Sequence, residues 1–156
     1  MRQFTQQQTV HGNSPLTETY PEAASQTFER GAPVVLTANQ ITECATPLTT
    51  SAGQLLGIAA MPANGAGASR YLGPSTNQPV QVWIADDNNL FGIQVTGGTA
   101  NAGSPYQIVK TSGLWQLNAA AAGNFLVFFT YTETVTNQVI AVGKFLESST
   151  QLGRTT

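Results

Sequence analysis

At 156 residues the chain is long enough to bury one substantial core, and one domain is expected. A charged fraction of 9% and a net charge of −2 set it apart from an ordinary soluble domain, in which about a quarter of residues are charged. The six cations (Arg2, Arg30, Arg70, Lys110, Lys144 and Arg154) form no basic stripe, which argues against nucleic acid as a partner. The single Cys44 excludes an intrachain disulfide and a cysteine zinc site, and no apolar run reaches the roughly 18 residues of a membrane helix.

The start, "MRQFTQQQTVHGN", has no apolar signal-peptide core, so classical secretion is not indicated. Residues 1–30 are polar, Gln-rich and interrupted by Pro15 and Pro21, with isolated Phe4, Val10, Leu16, Tyr20 and Phe28. Without a sustained period the segment alone would struggle to pack. It reads as an extended N-terminal arm that orders against neighbouring subunits, with those five apolar residues as its contacts; the alternative is a disordered leader. Pro21 suits the first turn of a short helix running to Gln26.

From Gly31 the pattern turns to strands. "APVVLTA" and "QITECA" are separated by Asn39, which fits a tight hairpin. "GQLLGIAAM" precedes the small-residue loop "PANGAGAS", and "VQVWI" and "LFGIQV" follow around "ADDNN". "PYQIVKT", "LWQLN", "NFLVFFTYT" and "QVIAVGKFL" bring the total to about nine short strands without a convincing long helix. The expected fold is therefore all-β: a single compact antiparallel barrel or sandwich over residues 31–146, ending in a flexible tail over 147–156.

The two runs around Asp86–Asn89 fit a four-residue hairpin. Ala85 then lies opposite Leu90, Ile84 opposite Phe91, Val82 opposite Ile93 and Val80 opposite Val95, all on one apolar face, with Trp83 over Gly92. In this arrangement Asp86 and Asp87 are turn residues, favoured because their side chains bond their own backbone. In the last strand pair Phe125 aligns with Phe145, Val127 with Gly143, Phe129 with Ala141 and Tyr131 with Val139, around a loop near Thr134–Thr136. "FLVFF" is apolar on both faces and reads as a central strand covered on each side, with Lys144 pointing towards solvent or a neighbouring subunit.

Catalytic constellations are thin. The lone His11 lies in the leader, so a nucleophilic triad would have to recruit it from there, and a histidine metal cluster is impossible. Asp86, Asp87, Asn88 and Asn89 offer oxygen ligands, but the D-x-D-x-D-G spacing of a calcium loop is absent. Glu18, Glu22, Glu29, Glu43, Glu133 and Glu147 suggest no carboxylate pair across a cleft. "GAGASR" lacks the Gly-Lys-Ser/Thr of a phosphate loop. No catalytic residue, metal or cofactor is assigned, and a non-enzymatic role is expected. Trp83 and Trp115, if on outward faces, would suit an exposed aromatic contact such as a sugar platform.

The order "ERGAPVVLTANQITECA", "GQLLGIAAMPANGAG", "VQVWIADDNNLFGIQV", "GSPYQIVKTSGLWQLN" and the pair "NFLVFFTYT" and "QVIAVGKFL" resembles the head-decoration, or capsid-stabilising cement, proteins of tailed bacteriophages. The resemblance spans roughly Arg30 to Leu146. Many members carry an aspartate shortly after a tryptophan, whereas Trp115 is followed by Gln116, Leu117 and Asn118. What the resemblance implies is a virion structural protein, assembled in the host cytoplasm, that binds the outer capsid surface and bridges capsomers. Its partners would be the major capsid protein and further copies of itself, as a dimer or trimer, without nucleic acid or membrane. A carbohydrate-binding module and a tail or baseplate β domain are the alternatives.

Overall fold

The computed structural model describes residues 4–9, 16–48, 55–63 and 79–151. Among the described residues eleven strands form two sheets, and there is no α-helix. Two strands lie in the leader: β1 (Thr5–Thr9) and β2 (Thr17–Pro21). Nine follow where the sequence pattern puts them: β3 (Pro33–Thr37), β4 (Gln40–Glu43), β5 (Gly57–Ala59), β6 (Pro79–Ile84), β7 (Asn89–Thr96), β8 (Pro105–Thr111), β9 (Leu114–Ala122), β10 (Phe125–Thr132) and β11 (Val139–Phe145). The all-β expectation holds.

A six-stranded sheet has the order β1-β7-β11-β10-β8-β9. Its named pairs are antiparallel except one: Val95 and Thr96 of β7 run parallel to Leu117 and Asn118 of β9, which closes the sheet into a barrel. The second sheet has the order β2-β6-β5-β3-β4. The end of β2 returns towards β4, where Ala23 N–H donates to Ile41 O at 3.0 Å. Closure pairs β7 with β9 and so reduces, without abolishing, the exposed edges that are the standing liability of β proteins.

Local chemistry sets the tight turns. Ala38 and Asn39 adopt φ of 49° and 64° between Thr37 and Gln40, the left-handed pair that a two-residue hairpin requires. Ser112 and Gly113, at 51° and 83°, do the same between Thr111 and Leu114.

Between and within the sheets lies one continuous apolar core. In it Phe4, Phe91, Phe125 and Phe145 form an aromatic cluster, with Phe4 5.6 Å from Phe125 and 5.3 Å from Phe145 between ring centroids. Trp115, Leu117, Ile108 and Ile93 are fully buried in the same core.

Four expectations change. Residues 1–30, expected as an arm outside the domain, are in their described part built into both sheets: β1 pairs with β7 and β2 with β6. Backbone ladders need no apolar side chains, so polar "TQQQT" completes a sheet once neighbouring Phe4 is buried; burying such a ring stabilises by about 1.5–3 kcal/mol. There is no helical turn after Pro21; Ser25 takes a left-handed φ of 62° in a tight turn instead.

The hairpin expected around Asp86–Asn89 is not a hairpin. β6 pairs with β2 and β5 in one sheet, whereas β7 pairs with β1, β11 and β9 in the other. Trp83 therefore faces Thr17 and Ile58, and Gly92 faces Thr5 and Val142. Two consecutive apolar faces can be buried edge to edge or face to face, and alternation alone does not distinguish them. Here the chain turns the corner between sheets, and the buried Asn89 amide holds it by donating to Ile84 O at 2.8 Å and Leu16 O at 3.3 Å.

The tail is also engaged where it is described. Glu147–Ser149 form a 3-10 turn, Ser149 and Thr150 are buried, and the Gln151 side chain bonds both Leu36 N–H (2.8 Å) and Leu36 O (2.9 Å).

Candidate functional site

The carboxylates of the corner are the first place to look for chemistry. Asp86 Oδ1 accepts the backbone N–H of Asn88 at 3.0 Å and of Asn89 at 2.8 Å, the local bonding expected of an Asx turn. Asp87 Oδ1 accepts the Lys144 ammonium at 2.5 Å; Lys144 lies partly exposed on the face away from the core and meets this carboxylate of its own chain there. The Lys144 ammonium, with help from the neighbouring Glu147, holds the Asp87 carboxyl below the usual carboxylate range. An open pocket of about 330 Å³ lies alongside, lined by Asp86, Asp87, Asn88, Phe145 and Glu147 among others. Both aspartates thus hold the corner together, one through the backbone and one through an ion pair. Among the described residues no group of three His, Cys, Asp or Glu side chains is placed to hold a metal ion.

The five leader residues proposed as contacts are dispersed. Phe4 and Phe28 are buried in the core of their own domain, Leu16 is exposed, and Tyr20 is half-buried. The Tyr20 hydroxyl donates to Glu18, and partial burial together with that carboxylate pushes its pKa up to about 12. Val10 lies outside the described residues. The tryptophans do not form a shared exposed platform. Trp115 is 0% exposed and donates its indole N–H to Glu43 Oε1 at 2.8 Å, which overturns its outward placement. Trp83 is half-buried, with the Arg30 guanidinium 5.2 Å from its ring centroid.

The feature that stands out is the far half of the β10–β11 hairpin. Near the barrel the pairing is as expected, Phe125 with Phe145 and Val127 with Gly143. Gly143 is required there, because a Cβ would lie 2.0 Å from Leu126 O. Then a β-bulge at Phe128 shifts the register by one, so Phe129 faces Val142 and Tyr131 faces Ile140, where Ala141 and Val139 were expected. Strand alternation sets Ile140 and Val142 on the face opposite Ala141, which belongs to the central core. Phe129 and Tyr131, paired with them, lie on that outer face.

On its other side β10 meets β8 only through Phe125 and Leu126, with Val127 bonded to Ser104 and Gly103. Beyond that point no described strand pairs with β10. The consequence is a set of exposed apolar side chains in one hairpin: Phe129 (44%) and Tyr131 (37%) on the outer face, Val139 on the other, Phe128 at the bulge and Val135 (91%) in the loop. The expectation that "FLVFF" is covered on both faces therefore fails for its last two residues. Periodicity shows that a strand is apolar on both sides, but not where its neighbour ends. Val135 was the readable signal, an isolated aliphatic residue at the centre of the polar loop "TETVTN".

No protein-family model matches this chain, and neither the curated proteins nor the solved structures contain a match to it.

Proposed function

We propose that this chain is a non-enzymatic virion structural protein of the head-decoration kind, which docks on the outer capsid surface through the exposed end of its β10–β11 hairpin. The carrying observation is that exposed Phe128, Phe129, Tyr131, Val135 and Val139 all fall in one hairpin of a domain poor in charge. Clustered exposed apolar residues mark surfaces that bind other macromolecules. A neutral polar surround means that few charges must be desolvated on docking. The assignment to the head, with the major coat protein as partner, comes from the resemblance over Arg30 to Leu146.

Density-gradient fractionation of the native source, with each fraction probed for this chain, tests the proposal. Co-migration with intact particles at a fixed ratio to the coat protein supports it, and confinement to soluble fractions overturns it. Purified chain re-added to stripped particles then tests the surface. Phe129→Ser with Val135→Ser should lose most particle binding while unfolding at the same denaturant concentration as the parent. Unchanged binding would move the docking surface away from the hairpin.

A further inference from the structure

The same hairpin carries a second, separable feature: a backbone edge. Glu133 N–H donates to Gln138 O at 2.8 Å, so Glu133 directs its backbone groups towards β11. In an antiparallel ladder that direction alternates from residue to residue. Tyr131 therefore also faces β11, and Thr130 and Thr132 turn their N–H and C=O groups away from it. Among the described residues none of these outward groups has a strand to pair with.

Natural β proteins protect such an edge with lysine, proline or an inward charge. The residues from Phe125 to Thr132, "FLVFFTYT", contain none of these. An unprotected edge accepts one kind of occupant, another extended strand.

We infer that this edge pairs antiparallel with the same edge of a second copy of the chain, about a two-fold axis at Thr130. The strand's own sequence specifies that partner. With Thr130 opposite Thr130, Phe129 of each copy lies opposite Tyr131 of the other, giving two aromatic cross-strand pairs. These occupy non-hydrogen-bonded positions, where facing side chains approach most closely. The outward N–H and C=O of Thr130 exchange reciprocal hydrogen bonds across the axis. The shared ladder stops short of Val127, whose outward groups already bond Ser104 and Gly103, so Glu133, the first charge after the strand, lies just past its end. The two Glu133 side chains are then about 20 Å apart along the ladder, well beyond the roughly 8 Å over which charges interact at physiological salt.

The contact is short, so it belongs with small transient interfaces and not with obligate dimers. It suits molecules held at high local concentration on a lattice. The joined sheets bring two Phe129 and two Tyr131 into one strip on the outer face, enlarging the proposed docking surface. The pairing itself needs no capsid.

Sedimentation equilibrium of the purified chain alone tests this, so its failure is distinguishable from failure of the capsid assignment. The expected result is a mass rising from 16.4 kDa towards twice that value across micromolar to millimolar concentration. Thr130→Pro removes an outward N–H without breaking a bond to β11 and should weaken dimerisation at least tenfold. Wild-type amide exchange, which needs no variant to fold, should slow at Thr130 and Thr132 as concentration rises. A monomer at every concentration, a dimer that persists undiminished in folded Thr130→Pro, or exchange at those amides that ignores concentration each overturns the inference.

Discussion

The indole N–H of Trp115 donates to Glu43 Oε1 at 2.8 Å, and Lys110 Nζ donates to the same oxygen at 2.6 Å. This joins β9 and β8 of the closed barrel to β4 at the edge of the other sheet. Trp115 is wholly buried, so its N–H has no water to turn to if the carboxylate is removed.

Glu43→Ala is expected to destabilise the protein by about 1–3 kcal/mol, the cost of leaving a buried donor unsatisfied. Glu43→Gln keeps an acceptor for the indole and should cost less. Urea unfolding curves of the three proteins check this; coincident midpoints would show that the link between the sheets contributes nothing.

Phe4 lies against Phe125 and Phe145 at the start of the chain, yet belongs to the central aromatic cluster. Phe4→Ala should cost about 3–5 kcal/mol, as other buried aromatic truncations do. Deletion of residues 1–30 removes β1, β2 and Phe28 together and should leave no cooperative unfolding transition. A truncated chain that melted like the parent would show the leader to be dispensable to the fold.

Asp87 is held below its ordinary pKa of 3.8 by Lys144. A carboxylate whose folded pKa is lowered contributes stability that is present above the unfolded value and lost as pH falls through the folded one. The gap between wild type and Asp87→Asn should therefore be constant from neutral pH down to about 5 and close below pH 3.8. The aspartate is largely exposed, which limits the gap to about 0.5–1 kcal/mol and makes it shrink with added salt. A gap that widened on acidification would contradict the ion pair.

Burial, followed by the charge of neighbouring Glu43, pushes the Cys44 thiol well above its usual pKa. Thiolate is the reactive form, so native protein should label with a thiol-reactive dye only as fast as the domain opens. Rapid stoichiometric labelling without denaturant would place Cys44 at the surface.

All nine strands after Gly31 could be read from alternation and turn chemistry, including the tight turn at Asn39, which the structure widens to include Ala38. These are local signals that hold whatever the strands later pair with. What failed was non-local. Val80, Val82 and Ile84 display an apolar face but cannot state whether Phe91 and Ile93 lie beside them or across a core. β1 was invisible because its ladder is backbone chemistry, with Phe4 the only apolar sign. The exposed hairpin was legible as an apolar strand, but its exposure depends on where β8 stops, and no residue of β10 encodes that.

The Gln151 amide grips both backbone groups of Leu36, a partner 115 positions earlier in the chain. On a translating ribosome, the sheet holding β2 to β6 thus lacks its last fastener until Gln151 has been synthesised and has left the exit tunnel. Such a topology, with β1 waiting for β7 and β3 for Gln151, favours slow folding over stepwise folding as each strand is made. Production of the protein would then depend less on the rate of translation than on how well the nascent chain is shielded before those distant residues arrive.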